Sequence, residues 1–177
     1  MTSPEGGFYS AEDADSLLSP GRPEKGEGAF YVWSKQEILN VLGEPLGELF
    51  SRQYGVEARG NVHNDPHGEF VAKNILYEAG AVEASDKQSI ADARVRLHYA
   101  RSKRPRPHLD DKILTGWNGL MISAFAKAAH VLGDAKYLDA ARRAADFIWP
   151  RMFSAETGML LRRYREQEAA IPGFLDD

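Results

Sequence analysis

A chain of 177 residues, 43% of them hydrophobic, is long enough to close the core of one domain and short for two. Its formal net charge of −4 argues against a general binder of phosphate backbones, which presents a net basic face, and the lack of cysteine excludes disulfides, thiolate zinc sites and thiol redox chemistry on the chain itself. No apolar run reaches the ~18 residues that suggest a membrane span, and residues 1–7 lack the basic and apolar regions of a signal peptide, so a soluble, cytoplasmic protein is expected.

Residues 6–33 read as a loop-rich β-hairpin region. Gly7-Phe8-Tyr9-Ser10 and Ala29-Phe30-Tyr31-Val32-Trp33 are short aromatic, strand-prone runs that can pair as neighbours, and the Gly/Pro/Ser-rich stretch 18–26 between them is a surface loop. Ser34-Lys35-Gln36-Glu37 is a capping box: the Ser34 hydroxyl accepts from the Glu37 N–H while the Glu37 side chain reaches back to the Ser34 N–H. The helix it starts carries Ile38, Leu39 and Leu42 on one face and stops at Gly43, and a second short helix follows with Leu46, Leu49 and Phe50. Residues 60–68 are too rich in turn formers for regular structure, and 69–77 are expected to be extended. Ser85 or Asp86 then caps a helix running to about Ser102, with Ile90, Ala93, Leu97 and Ala100 at helical spacing, and Pro105 and Pro107 end it.

Over 117–132 Trp117, Leu120, Met121, Ala124, Phe125, Ala128, Val131 and Leu132 form a broad apolar stripe. The opposite side is small or apolar apart from Lys127, so a helix buried nearly all round is expected. Gly133 supplies its left-handed cap and Asp134 the next N-cap, a connection so tight that the next helix, 135–149, must fold back. That helix is amphipathic, with Ala141 and Ile148 inward and Arg142, Arg143 and Asp146 outward, and Pro150 is expected to end it; 158–164 follow as a strand or hairpin arm. A buried helix joined to a surface helix is the unit of a two-layered array, an inner ring shielded by an outer one. Leu109-Asp110-Asp111 stands before the inner helix, and Leu175-Asp176-Asp177 repeats the triplet, so both sets of carboxylates are expected to gather at one mouth, where helix N-termini favour negative charge.

Four motifs in order carry a family resemblance: Gly6-Gly7-Phe8-Tyr9-Ser10-Ala11-Glu12-Asp13-Ala14-Asp15-Ser16; Glu27-Gly28-Ala29-Phe30-Tyr31-Val32-Trp33; the run from Arg104 through Leu109-Asp110-Asp111 to Trp117-Asn118-Gly119-Leu120-Met121; and Gly173-Phe174-Leu175-Asp176-Asp177. They resemble the spermatogenesis-associated protein 20 / YyaL family. The resemblance implies an N-terminal thioredoxin-like domain followed by an (α/α)6 barrel related to six-hairpin glycosidases and sugar epimerases. It makes this chain a middle section of that barrel, with Met1 an internal methionine of a longer protein. The expected fold is then mainly α, a partial (α/α)6 toroid with a small β-hairpin insertion, forming one incomplete domain over 1–177. Its parts are a β-hairpin and loop region at 1–33, a helical part with a polar loop at 34–104, and the helical hairpin with the start of the next at 109–177. The absent thioredoxin-like domain and remaining hairpins are the expected protein partners.

Glycoside chemistry sets two carboxyl groups ~5 to 10 Å apart across the scissile bond. The candidates are Asp13 and Asp15, beside Glu12, and Asp110 and Asp111; the competing readings are a solvated turn for the first group and a helix cap for the second. Sugars are gripped by aromatic faces. Tyr31, Trp33 and Trp117, with Tyr9, lie beside the acidic motifs and suit a pocket wall, or else pack in the core. His108 is a proton carrier or a plain loop histidine, and Asn118 faces a pocket or satisfies backbone groups. His63, Asp65 and His67 are spaced i, i+2, i+4, but Pro66 interrupts them and no fourth ligand is evident, and Asp13-x-Asp15 lacks the later ligands of a calcium loop, so no metal is expected. The basic run 101–108 reads as a linker rather than a nucleic-acid contact, and with no phosphate loop or dinucleotide fingerprint no cofactor is expected. Two functions follow: a saccharide-binding segment that in the full protein hydrolyses or epimerises its ligand, and a non-catalytic helical scaffold accompanying a thioredoxin-like domain. Whether any reaction occurs stays open at this stage.

Overall fold

The computed structural model describes residues 1–175 and residue 177. In chain order the elements begin with β1 (Ala11–Glu12), β2 (Asp15–Leu17), β3 (Lys25–Glu27), α1 (Lys35–Leu42), α2 (Glu44–Gln53) and α3 (Lys87–Arg101). They continue with β4 (Leu109–Asp110), β5 (Ile113–Leu114), α4 (Thr115–Leu132), α5 (Ala135–Met152), β6 (Phe153–Ser154), β7 (Met159–Arg165) and β8 (Glu168–Pro172). Five helices and eight strands among the described residues make this a mixed α/β chain, which overturns the expected mainly α, partial (α/α)6 toroid. Helical periodicity is confined to three stretches. Between and after them, Gly- and Pro-punctuated segments place their backbone donors in small antiparallel pairings, β1 with β4, β2 with β3, and β7 with β5, β6 and β8. The chain folds as two compact units, Asp13–His108 and Met1–Glu12 with Leu109–Asp177.

In the Asp13–His108 unit the capping box forms as its residues dictate. The Glu37 N–H donates to Ser34 Oγ at 3.1 Å and the Ser34 N–H to Glu37 Oε2 at 2.7 Å. Helix α1 buries Ile38 and Leu42, α2 buries Phe50, and α3 buries Ile90, Ala93 and Leu97; these close one core with Trp33 and Val56. The aromatic runs expected to pair as strands do not. Gly28 adopts φ +62, the Tyr31 and Val32 N–H groups donate to its carbonyl, and the second run becomes a turn rather than a strand. The hairpin of this region is instead β2–β3, with Asp15 opposite Glu27, while Trp33 bridges to Asn74. Buried Asn74 stitches three segments: it donates to the Trp33 and Glu57 carbonyls and accepts from the Glu57 N–H.

In the other unit, α4 and α5 form the expected hairpin. Gly133 takes the left-handed conformation at φ 66 and donates to Ala129 O, and the Asp134 carboxylate caps α5 through the Lys136 N–H. The burial of the pair departs from expectation. Helix α4 buries only Thr115 and Asn118, leaving Trp117, Leu120, Val131 and Leu132 exposed, whereas α5 buries Ala141, Ala144, Phe147, Ile148 and Met152. The reason lies in what each helix has to pack against. The inner stripe of α5 meets Ile113 of β5 and Tyr164 of β7, with the Phe147 and Tyr164 rings edge to face at 5.0 Å; α4 packs chiefly on α5, with Phe8 against Phe125 and β5 and β7 beside it. Pro150 does not stop α5, which ends two residues later at Met152; a proline this close to the end costs only the last turn's bonding. At Gly6, φ +111, the N-terminal segment lies so close to α5 that a Cβ would sit 2.7 Å from the Arg143 carbonyl oxygen. No helix among the described residues is long and apolar enough to cross a membrane.

Candidate functional site

The start of α4 is where side-chain chemistry gathers. Leu114 is extended and the chain enters the helix at Thr115, whose hydroxyl donates to Leu161 O at 2.5 Å and ties the helix start to β7. The first amides of a helix lack intrahelical acceptors, and its positive end attracts an anion. Here Asp177 supplies one. Its Oδ1 accepts from the Gly116 N–H at 3.2 Å, and its Oδ2 accepts from the Phe174 N–H at 3.1 Å and pairs with Arg162 Nη1 at 2.8 Å. The Asp177 side chain is only 4% exposed. A cavity of about 560 Å³ opens beside this network. Gly116, Gly119, Leu120 and Ser123, spaced i, i+3, i+4, i+7, bring one side of α4 to it, and the small residues among them leave the space open. Arg162 and Asp177 give it a polar end, and Trp117, 57% exposed, gives it an aromatic wall.

Of the residues singled out from sequence, Trp117 and Asp177 lie in this cleft. Asn118 is adjacent but points inward: 1% exposed, it accepts from the Phe8 N–H and donates to the Phe8 and Leu114 carbonyls, the backbone-satisfying role. Asp110 sits on β4 and pairs with Lys112 Nζ at 3.1 Å. Burial works to raise its pKa, but hydrogen bonds from the Lys112 side chain and backbone and from Ser10, with the Lys112 charge, outweigh it and hold the carboxyl below its ordinary 3.8. Asp111 lies 2.7 Å from Arg165 Nε on β7. Both carboxylates therefore bind cations of their own unit.

In the Asp13–His108 unit, Asp13 Oδ1 accepts from the Asp15 N–H at 3.2 Å and its Oδ2 stands 3.9 Å from Lys25, while Asp15 is exposed on β2. Trp33 is a core residue, 3% exposed, lying beneath the Arg104 guanidinium at 4.0 Å. Tyr31 is partly exposed and meets Phe30 edge to face. His108 is exposed, and its carbonyl accepts from the Asp13 N–H. Asp65 uses both carboxylate oxygens on the Glu69 and Phe70 N–H groups to hold its loop. Asp176 of the repeated triplet lies outside the described residues.

Arg162 and Ser123 were not legible as site residues, and Asp177 only through the Leu-Asp-Asp repeat. The i, i+3, i+4, i+7 run of Gly116, Gly119, Leu120 and Ser123 was the available signal for Ser123. Arg162 carried none, since its acidic partner is 15 residues away, beyond the β7–β8 hairpin.

No family model matches the chain. Among curated proteins it is similar to human spermatogenesis-associated protein 20, 37% identical over an alignment of 178 positions that covers 89% of this chain and 22% of the relative. Mouse spermatogenesis-associated protein 20 is 36% identical over the same shares, and an uncharacterized protein of Caenorhabditis elegans is 41% identical over 162 positions, 81% of this chain and 22% of the relative. The chain thus spans about a fifth of the length of the curated relatives it matches. Over most of its length it is therefore similar to one stretch of the spermatogenesis-associated protein 20 proteins.

Proposed function

We propose that the cleft at the start of α4 is a saccharide-binding site and that the longer relatives use it to bind or process carbohydrate. The observation that carries this reading is the exposed Trp117 ring standing over a cavity that ends in the Asp177–Arg162 pair. A sugar ring presents apolar C–H groups on one face and hydroxyls around its edge, so it suits an aromatic plane beside fixed donors and acceptors. Trp117 supplies the plane, Arg162 and Ser123 donate, and Asp177 and Ser123 accept. Asp110, held ionised by Lys112, suits hydroxyl binding or a base and not a general acid, which needs a raised value.

The test is calorimetric titration of the chain with a panel of mono- and oligosaccharides, repeated with Trp117→Ala. Because Trp117 is largely exposed, its removal should abolish binding while leaving the melting temperature within a few degrees. Undiminished binding by the variant would move the site elsewhere. Heat from no sugar at all would favour the second reading, a non-catalytic scaffold that accompanies a thioredoxin-like domain. That reading draws on the exposed apolar side of α4, where Leu120, Val131 and Leu132 offer a surface for a protein partner.

A further inference from the structure

The Asp13–His108 unit holds a cavity of about 650 Å³ that none of the chemistry above uses. Its floor is the edge of the core: Trp33 and Phe50 are almost wholly buried beneath it, with the Tyr54 ring against Phe50 at 4.4 Å. Tyr77, 55% exposed, forms one wall. Its ring lies on Gly55, where a Cβ would collide with it, and Gly55 holds φ +62, so the backbone there is shaped to the aromatic wall. Helix α3 forms the opposite wall and turns Arg94, Val95, His98 and Arg101 toward the space at helical spacing. Val95 is 69% exposed, an unusual position for a β-branched apolar side chain on an otherwise polar helix face.

The charges on this rim are unevenly matched. Glu78 is its one acid, against Arg94, Arg101 and the imidazole of His98. Arg101 stacks over the Phe30 and Tyr31 rings at 5.5 and 5.4 Å. Among the described residues neither the Arg94 guanidinium nor the His98 ring makes an ion pair or a side-chain hydrogen bond. An apolar aromatic floor of this size accepts a small organic body, since ligand pockets run from about 300 to 1,000 Å³. A guanidinium at its rim, with no counter-charge of its own, recognises a carboxylate, sulfonate or phosphate.

We propose that this cavity binds a small organic anion with a flat apolar body, the body over Trp33 and Phe50 against Tyr77 and the anionic group on Arg94. A saccharide fits it poorly, because the floor offers no ring of hydrogen-bonding groups. A wholly neutral apolar ligand would leave Arg94 without a counter-charge.

Two naphthalene probes test this on the full chain: 8-anilinonaphthalene-1-sulfonate, which carries the anion, and N-phenyl-1-naphthylamine, which does not. The sulfonate should saturate a single site, shift the amide resonances of Tyr54, Tyr77, Val95 and His98, and bind at least about tenfold more tightly than the neutral probe, the worth of one charge-assisted contact. Arg94→Gln should remove that advantage and leave the neutral probe within twofold. Should Arg94→Gln also lower the melting temperature, Arg94→Lys, which keeps the charge, must retain the preference for the sulfonate. The proposal is overturned if the two probes bind equally, if Arg94→Gln leaves the sulfonate unchanged, if Arg94→Lys loses the preference, or if the shifted resonances belong to α4.

Discussion

Replacing Arg104 with alanine should destabilise the Asp13–His108 unit by about 3 kcal/mol, because this side chain ties the aromatic turn to the segment that follows α3. Its Nη1 faces the carbonyls of Val32 at 2.7 Å, Phe30 at 3.0 Å and Ala29 at 3.4 Å. Nη1 carries two hydrogens, so only the two shorter contacts count as full bonds. Charge-assisted bonds contribute roughly 1.5–3 kcal/mol each, and Phe30 and Val32 are buried, so their carbonyls would find no ready replacement. The guanidinium also lies over Trp33 at 4.0 Å, adding about 0.5–2 kcal/mol, whereas the contact with Glu37 at 3.5 Å adds little because that carboxylate is partly exposed. These terms share one side chain and do not sum, hence about 3 kcal/mol rather than their total. Urea denaturation followed by tryptophan fluorescence measures the loss. Arg104→Met separates the causes, since it keeps an apolar stem over Trp33 and removes the donors: it should recover less than about 1 kcal/mol. A cost below about 1 kcal/mol for Arg104→Ala, or full recovery by methionine, would refute the assignment.

Asn118→Ala should cost about 2–4 kcal/mol in the same assay, since it leaves the part-buried Phe8 N–H and the Phe8 and Leu114 carbonyls without the Asn118 side chain; a variant as stable as the parent would mean the N-terminal segment does not dock there. The stability of the Asp13–His108 unit should also fall in acid through Glu37. Burial alone would raise this carboxyl, but the Ser34 N–H and hydroxyl, Lys73 and Arg104 outweigh it and hold it below its ordinary 4.5. A folded value below the unfolded one contributes stability that is complete above about pH 4.5 and is lost as the pH falls through the folded value. Glu37→Gln should therefore flatten the acid limb of a melting-temperature profile between about pH 5 and 3, and an unchanged slope would sink the idea.

What the sequence made legible was local. The capping box at Ser34 and Glu37, the stop at Gly43 and the turn at Gly133 and Asp134 each depend on a few adjacent residues, and each forms as those residues require. The pairings that define the sheets join distant segments, as when Ala11 meets Asp110, and no local pattern encodes them. The second aromatic run failed as a strand because Gly28 takes a turn conformation open to glycine and strand propensity is the weaker influence there. Helix α4 misled for another reason. Its composition reads as that of a buried helix, yet composition says only that a cover would be favourable, not that this stretch of chain supplies one. Trp117 was found by residue type, and Asp177 by repetition of Leu-Asp-Asp, but their meeting at one helix start rests on the turn at Gly173, whose N–H donates to Leu160 O.

That meeting also bears on which chemistry the chain itself can carry. Asp177 already accepts from Gly116, Phe174 and Arg162, and a carboxylate offers about four acceptor positions, so one remains for a ligand hydroxyl. Asp110 and Asp111 are engaged by Lys112 and Arg165 in the same sense. Cleaving a glycoside needs one carboxyl kept protonated as an acid, and Asp110, held below its ordinary value by Lys112 and Ser10, does not suit that part. Binding and orientation are within reach of this cleft as it stands. Hydrolysis in the longer relatives would need its acid from a residue other than Asp110.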